Sequence, residues 1–310
     1  MKNIKIAYFG TPVFSAYILE ELLKEYPVGL IVTQEDKLVG RHQIITSSPV
    51  KKLALKHHIP VFTPAKIRLD YQTIVNYQPD IIITCAYGQI IPKEILDLPA
   101  LGCINVHASL LPKLRGGAPI HHAIIDGYKE TGITIMYMDE KMDNGDIISQ
   151  DALMINACDN TGIIHDKLMV LGAKLLLETL PKIISGTNER LKQNEGEVTF
   201  GYNIKREEEI VDFNKSTRDV YNQIRGLYPW PLAYITLDNQ EIKVLESRLS
   251  EAKPQGKLGE ITNVYKDGLG IKTLDGEIII TKIKPSGKNE MGISEYLNSH
   301  KSMMGKVVNE

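Results

Sequence analysis

The first part of the chain alternates short apolar runs with amphipathic stretches, and this alternation constrains the fold more than any other feature. The run IKIAYFG ends at Gly10, and apolar residues recur at helical spacing over 14–23. Thr11 and Pro12 are placed to cap and begin that helix. The same order repeats over 28–62. A β-α-β-α-β pattern favours an α/β fold, with a parallel sheet covered by helices on both faces.

A continuous apolar run, DIIITCA at 80–86, fits the buried centre of that sheet, because a strand covered on both faces does not alternate. Further strands are predicted at 103–107 and 132–138. Ligands of open α/β sheets bind beyond the carboxyl ends of the strands. The sequence therefore predicts a Rossmann-like parallel sheet, with a binding site built from the segments that follow its strands.

The remainder of the chain has a different character. A long amphipathic helix is predicted over 159–185, and a polar stretch without helical periodicity follows it. We place a linker at 189–206, which separates a domain at 1–188 from a second domain at 207–310. Five short strands are predicted in the second domain, at 233–237, 241–246, 259–265, 269–273 and 277–284. Their number and spacing indicate a small OB-like β-barrel.

Composition excludes several classes of protein. The net charge of −2 leaves no chain-wide basic footprint for nucleic acid or anionic lipid. The three cysteines, at 85, 103 and 158, form no C-x-x-C pair, so neither a disulfide framework nor a thiolate zinc site is expected. No apolar run approaches the ~18 residues of a membrane span. We therefore expect a reduced, cytoplasmic protein that does not bind membranes.

Two polar residues end the strand predicted at 103–107. The period of two places Asn105 and His107 on the same face. An amide can donate to a developing oxyanion and an imidazole can move a proton, so this pair suits chemistry on a carbonyl. The alternative is a strand end whose polar residues cap the edge of a sheet.

A second polar cluster, MDEKMDNGD at 138–146, follows the next predicted strand and is expected at the same edge of the sheet. It offers four carboxylates, Asp139, Glu140, Asp143 and Asp146. One of them beside His107 would fix its tautomer and stabilise its protonated form. The spacing does not choose among the four, and a solvated acidic loop is the alternative.

Other candidates are weaker. The pairs at 57–58 and 121–122 are adjacent histidines whose rings diverge on a helix, so we predict no metal site. FGTP at 9–12 is not G-x-G-x-x-G, which disfavours a nicotinamide dinucleotide. The loop at 33–49 either has a binding role or is only a solvated connection.

The segments NVHASLLPKLRGGAPI at 105–120 and TGITIMYMDEKMDNGDII at 131–148 together resemble the signature of folate-dependent formyltransferases. The resemblance continues through IAYFGTPVFS, TCAYGQIIP, SSPVK, YPWP and KPSGKNEM, and so spans the chain. It implies a formyltransferase domain followed by an OB-like domain. It also implies an enzyme that takes its formyl group from 10-formyltetrahydrofolate.

The same resemblance implies roles for individual residues. Asn105, His107 and Asp143 match the catalytic residues of the family, with Asp143 singled out by the Asn-Gly that follows it. The residues that match the 10-formyltetrahydrofolate site are Ser109, Leu110, Leu111, Pro112, Ala86, Tyr87, Gly88, Ile90, Pro92 and Glu140.

The formyl acceptor implied by the resemblance is the amine of initiator methionyl-tRNA, and we expect a monomer. The loop at 36–49 is expected to enter the acceptor stem. The basic residues assigned to tRNA are Lys37, Arg41, His42, Lys282, Lys284 and Lys288. One alternative is a formyltransferase acting on an amino-sugar nucleotide. Another is a folate or RNA binding module without catalysis, which would not need Asn105, His107 and Asp143 together.

Overall fold

The computed structural model describes residues 4–40, 43–300 and 302–310, and these residues form two compact units. The first unit contains the described residues up to Gly116, with Thr131–Leu153 and His165–Phe200. The second unit contains Gly117–Glu130, Met154–Ile164 and Gly201–Glu310. The domain limits at 188 and 207 stay a prediction, since two segments from the first half of the chain group with the C-terminal residues.

Nine strands belong to the first unit: β1 (Ile6–Gly10), β2 (Val28–Val32), β3 (Lys37–Val39), β4 (Ile44–Thr46), β5 (Val61–Phe62), β6 (Ile81–Cys85), β7 (Cys103–His107), β8 (Glu130–Tyr137) and β9 (Ile147–Met154). Seven of them form one sheet in the order β5-β2-β1-β6-β7-β8-β9, and β3 pairs with β4. The pairs from β5 to β7 are parallel. Every residue of β1 and β6 is buried, as their apolar runs predict.

The helices from the first part of the chain are α1 (Val13–Glu25), α2 (Pro49–Lys56), α3 (Gln72–Tyr77), α4 (Lys93–Leu96), α5 (Pro119–Ile125) and α6 (Thr161–Ser185). α6 approaches the sheet closely at Gly172, where an added Cβ would meet Ile18 of α1, Val106 of β7 and Ile133 of β8. Together, the mostly parallel sheet and these helices confirm the fold class predicted from the sequence, a Rossmann-like α/β sheet.

Two details of the sequence interpretation were wrong. β8 runs antiparallel to β7, with Thr134 opposite His107, so the sheet is mixed. The connection between them holds only the short α5, which groups with the second unit, and the chain re-enters the sheet from the opposite end. Thr11 does not cap α1, because its hydroxyl donates to the carbonyl of Tyr87 at 2.9 Å.

The loop predicted at 36–49 contains the hairpin of β3 and β4. Its large apolar side chains are more than half exposed: Leu38, Val39, Ile44 and Ile45. The hairpin therefore presents apolar groups where the sequence interpretation considered only basic ones.

The second unit is built on an antiparallel sheet. Its strands are β10 (Ala233–Leu237), β11 (Gln240–Leu249), β12 (Ile261–Val264), β13 (Leu269–Lys272), β14 (Glu277–Pro285) and β15 (Met291–Gly292), and its helices are α7 (Thr217–Gly226) and α8 (Ile293–Ser299). The order is β10-β11-β14-β13-β12, with β15 beside β14. This small β domain agrees with the second half of the predicted fold class.

Residues 306–309 connect the two end strands of that sheet. The amide of Ile261 in β12 donates to the carbonyl of Lys306 at 2.8 Å. The amide of Asn309 donates to the carbonyl of Thr236 in β10 at 2.9 Å, and its side chain accepts from the amide of Thr236. Both edges are thus covered by one segment, which protects them from pairing with other chains.

Candidate active site

β7 holds Asn105 and His107 in the interior of the sheet. It pairs with β6 on one side and β8 on the other, so Thr84 lies opposite Asn105 and Thr134 lies opposite His107. His107 is buried, and Asn105 is half-buried. Pairing on both sides fixes the backbone that carries the amide and the imidazole.

The amide of Asn105 is held at one end by the neighbouring strand. The hydroxyl of Thr84 donates to its Oδ1 at 2.8 Å. The amide nitrogen Nδ2 makes no hydrogen bond to the described part of the chain and is left as a donor. Asn105 therefore offers an N–H to whatever occupies the site.

Two groups flank the imidazole of His107. Its Nε2 lies 3.0 Å from the carbonyl oxygen of Leu114, which can only accept, so Nε2 carries a proton. Its Nδ1 lies 3.7 Å from Oδ1 of Asp143, which is within ion-pair range and beyond a direct hydrogen bond. When Nδ1 is also protonated, the imidazolium faces a carboxylate.

Asp143 reaches His107 by a different route from the one predicted. Because β8 is antiparallel to β7, its carboxyl end lies beside the start of β7, where the amide of Met138 donates to the carbonyl of Cys103 at 2.8 Å. The segment 138–146 then folds back as a loop. A hydrogen bond from the amide of Tyr137 to the carbonyl of Asp146, at 2.9 Å, closes this loop.

Of the four carboxylates in this segment, the structure places Asp143 beside His107. Oδ2 of Asp143 accepts from the amide of Gly116 at 2.8 Å, which leaves Oδ1 on the side of His107. The other three have different partners: Asp139 accepts from Asn144 and the Lys141 amide, Glu140 pairs with Lys93, and Asp146 pairs with Arg190.

The segment 109–112, assigned to the folate from the resemblance, is wrapped around the hydroxyl of Thr134. That hydroxyl donates to the carbonyl of Ser109 at 2.6 Å and accepts from the amide of Leu111 at 3.1 Å. The side chains of Ser109 and Leu111 are buried, whereas Leu110 and Pro112 are half-buried. Only the second pair offers side-chain surface to a ligand.

The segment 86–92 follows β6 at its carboxyl end. Ala86 has φ +48°, a left-handed conformation uncommon for alanine, and it is exposed. Ile90 is 87% exposed, the highest value among the large apolar side chains of the described residues. Glycine at 88 also has positive φ, and Pro92 precedes α4. An exposed apolar side chain on a turn with such a backbone is a candidate contact for a ligand ring.

Tyr87 of the same segment is buried, and its hydroxyl has no partner among the described residues. Burial raises the pKa of this phenol well above its ordinary value, so Tyr87 stays neutral and can donate. Separately, α4 and the 138–144 segment line a cleft of about 360 Å³, and Glu140 is one of its lining residues. A cleft of this size with polar walls fits a polar heterocyclic ligand such as a pteridine.

The basic residues assigned to tRNA come from both units. Lys37 is exposed on β3 and donates to Oε1 of Gln34 at 2.6 Å, whereas Arg41 and His42 lie outside the described residues. Lys282 on β14 pairs with Glu290 at 3.1 Å. Lys284, also on β14, and Lys288 beyond it are exposed.

Within residues 4–40, 43–300 and 302–310, no group of three or more His, Cys, Asp or Glu side chains is arranged to hold a metal ion. No helix in the same ranges is long and apolar enough to cross a membrane.

Sequence reasoning missed three contributors to this site. Thr84 lies inside an apolar strand and carries no motif signal of its own. Leu114 acts through its carbonyl, which its side chain does not reveal. Arg115 donates to Oδ1 of Asn144, next to Asp143. It lies within the motif of the family resemblance, and that position was the one available signal.

Two family models match the chain. The model described as formyl transferase matches residues 2–180, and the model described as formyl transferase, C-terminal domain, matches residues 203–301. The methionyl-tRNA formyltransferase of Staphylococcus epidermidis is 48% identical over 308 residues, which cover 98% of this chain and 99% of that protein. The enzyme of Staphylococcus aureus strain MW2 is also 48% identical, with coverages of 97% and 98%.

Solved structures share the fold at lower identity. The N-formyltransferase from Helicobacter canadensis, in complex with folinic acid and dTDP-3-aminofucose, has a TM-score of 0.69 at 22% identity and covers 91% of this chain and all of its own. HypX from Aquifex aeolicus, in complex with tetrahydrofolic acid, has a TM-score of 0.65 at 17% identity over 98% of this chain and 48% of its own.

Proposed function

The chain belongs to the methionyl-tRNA formyltransferase family, and we propose that it uses Asn105, His107 and Asp143 to transfer a formyl group from 10-formyltetrahydrofolate to the α-amine of initiator methionyl-tRNA. The product is N-formylmethionyl-tRNA, for the initiation of translation. The observation that carries the catalytic assignment is the convergence of an oriented amide, an imidazole and a carboxylate at the end of β7.

Asn105 and His107 act on the formyl oxygen in this proposal. 10-Formyltetrahydrofolate supplies the formyl group, and negative charge develops on its oxygen as the amine attacks. Nδ2 of Asn105 is oriented as a donor toward that charge, because Thr84 holds the opposite end of the amide. Protonated His107, with Leu114 accepting at Nε2, shares the stabilisation.

Asp143 orients the imidazole of His107 and takes part in proton transfer. The carboxylate of Asp143 lies 3.7 Å from Nδ1 of His107. A water molecule that contacts these two groups and the incoming amine can pass a proton from the amine to them. The amine loses one proton when the new C–N bond forms, and the nitrogen of the leaving folate gains one. No covalent enzyme intermediate is needed for this balance.

The residues proposed to hold the folate are those of 86–92, 109–112 and Glu140. The exposed side chain of Ile90 and the cleft that Glu140 lines support this placement. Ser109 and Leu111 contribute by holding the segment in place, since their side chains are buried and their backbone groups bond the hydroxyl of Thr134.

The proposal for tRNA rests on the hairpin of β3 and β4 and on basic residues. Lys37, Arg41 and His42 come from the loop that carries the hairpin, and Lys282, Lys284 and Lys288 come from the second unit. Apolar side chains on the hairpin can pack against bases while lysines contact phosphates. We further propose that the enzyme works as a cytoplasmic monomer, because one chain supplies the whole catalytic set.

An amino-sugar nucleotide is the weaker candidate for the acceptor. A sugar formyltransferase shares the fold at 22% identity, whereas methionyl-tRNA formyltransferases share 48% over nearly the whole chain. The difference in identity supports tRNA.

The test is to incubate the protein with 10-formyltetrahydrofolate and charged initiator tRNA, and to measure formylmethionyl-tRNA and tetrahydrofolate together. We expect equal amounts of both products. An oxyanion donor contributes ~10²–10³ in rate and a positioned proton donor ~10²–10⁴, so Asn105→Ala and His107→Ala should each lower kcat by at least ~100-fold. Near-normal turnover in either folded variant would overturn its assignment, and turnover only with an amino-sugar nucleotide would overturn the acceptor.

A further inference from the structure

The guanidinium of Arg115 is buried, and each of its nitrogens donates a hydrogen bond. Nε and Nη2 donate to Oε1 of Gln193 at 3.0 and 2.8 Å. Nη2 also donates to Oε1 of Glu195 at 2.8 Å, and Nη1 donates to Oδ1 of Asn144 at 3.2 Å. A buried cation that makes four hydrogen bonds has one preferred position.

Gln193 uses both ends of its amide. While Oε1 accepts from Arg115, Nε2 donates to the carbonyl of Asp143 at 2.8 Å and to the carbonyl of Gly145 at 2.9 Å. Arg115 thereby dictates which end of the amide faces the 143–145 turn. Its own bond to Asn144 contacts the same turn directly.

The turn needs such support. Asp143 has φ +48°, a left-handed conformation that costs an ordinary residue about 1 kcal/mol. The direction in which its carboxylate points depends on this backbone. The hydrogen bonds from Gln193 to the carbonyls of Asp143 and Gly145 oppose relaxation of the turn to a more common conformation.

We propose that Arg115 and Gln193 are positioning residues, which hold the backbone of Asp143 so that its carboxylate faces His107. The inference rests on the role given to Asp143 in the proposed function. Gln193 lies 50 positions after Asp143 in the chain, in the predicted linker, so a segment expected only to join two domains also supports the catalytic turn. A displacement of about 1 Å at a catalytic group can cost up to ~100-fold in rate.

The most informative substitution is Gln193→Glu. Glutamate keeps the acceptor for Arg115 but replaces the donor to the two carbonyls with a repelling oxygen. Gln193→Met removes both functions at similar length and serves if the first variant does not fold. Lys192→Met is the matched control, since the neighbouring lysine is exposed.

The experiment is a double-mutant cycle with Asp143→Asn, measuring kcat for formyl transfer and the melting temperature of each variant. We expect Gln193→Glu to lower kcat about 10-fold to 100-fold in the wild-type background. In the Asp143→Asn background we expect less than about a twofold further loss, because the group being positioned has already lost its function. Lys192→Met should match its parent in both backgrounds.

The outcomes separate the two proposals. If Asp143→Asn turns over at the wild-type rate, the role of Asp143 in the proposed function is overturned. If Asp143→Asn is slow but Gln193→Glu costs the same factor in both backgrounds, or costs nothing in either, the positioning role is overturned. A purely structural role would lower the melting temperature and reduce kcat alike in both backgrounds.

Discussion

Oγ1 of Thr84 lies 2.8 Å from Oδ1 of Asn105, across the parallel pair of β6 and β7, and the hydroxyl donates. The same hydroxyl also lies 3.1 Å from the carbonyl oxygen of Ile104, and the shorter distance is the one to Oδ1 of Asn105. When Oδ1 accepts from Thr84, Nδ2 faces the site as a donor. Thr84 is buried in an apolar strand, where water does not compete for this hydrogen bond. Thr84 therefore anchors the amide of Asn105 from the neighbouring strand.

Thr84→Val should lower kcat for formyl transfer about tenfold. Valine fills the same space without the hydroxyl, so the amide of Asn105 can turn its oxygen toward the developing charge; one hydrogen bond of ~0.5–1.5 kcal/mol corresponds to this factor. Thr84→Ser keeps the donor and should stay within about twofold of wild type. Single-turnover rates with saturating folate give the comparison, and equal rates for valine and serine would refute the orienting role.

Gly145→Ala should lower kcat about tenfold or more and destabilise the first unit by about 1–3 kcal/mol. A Cβ at this position would overlap the carbonyl oxygen of Tyr137, so the 143–145 turn must move and take the Asp143 carboxylate with it. Gly196→Ala is the control, because a Cβ there meets only Oδ1 of Asn194, at 3.4 Å. Steady-state kinetics and thermal melting of both variants test this, and wild-type kinetics in Gly145→Ala would contradict it.

Lys284→Gln should reduce the salt dependence of tRNA binding more than Lys282→Gln. The Lys282 ammonium is held by Glu290 at 3.1 Å and Glu246 at 3.7 Å, and its hydrogen bond to Glu290 raises its pKa. Lys284 has no such ion pair within the described ranges, so it is the better phosphate ligand.

Each lysine that contacts a phosphate contributes about 0.7–0.9 to the slope of log K against log salt concentration. Kd for charged tRNA, measured by fluorescence anisotropy over a range of KCl concentrations, should give a slope lower by about that amount in Lys284→Gln alone. Equal slopes in the two variants would contradict both the weakening effect of the ion pairs on Lys282 and the phosphate contact assigned to Lys284.

Local patterns predicted local structure well. The strand at 103–107 has its predicted bounds, since its apolar and polar residues alternate between turn signals. Asp238 and Asn239, which separate the strands predicted at 233–237 and 241–246, have φ values of +50° and +60° and join β10 to β11. These features depend on neighbouring residues alone, so the sequence contains what decides them.

The parts that could not be predicted depend on distant residues. The four carboxylates of 138–146 look equivalent in the sequence, and what brings Asp143 to His107 is the amide of Gly116 and the side chain of Gln193. The direction of β8 is set by its pairing with β7, which its own residues do not show. The cross-strand partner of Asn105 likewise required the register of β6 against β7.

The last prediction concerns Glu277 in the second unit, whose carboxylate is fully buried. Burial alone would raise its pKa, but four donors outweigh this, and the pKa lies below the ordinary value. The donors are Asn263 at 2.5 Å, Ser250 and Tyr265 at 2.8 Å each, and Thr262 at 3.2 Å. Space for the carboxylate exists because residue 270 is glycine.

A depressed pKa in the folded state stabilises the fold above the unfolded pKa of about 4.3, and this stability is lost as pH falls through the folded pKa. Glu277→Gln should therefore lower the free energy of unfolding by about 1–3 kcal/mol at pH 7, and the difference from wild type should shrink only below about pH 4. Trp230, the single tryptophan, lies in the second unit and reports its urea unfolding by fluorescence. Glu251→Gln, at an exposed position, is the control and should show no such difference. If the difference in free energy of unfolding between Glu277→Gln and wild type stayed constant from pH 7 to pH 3, the charge of Glu277 would not stabilise the fold.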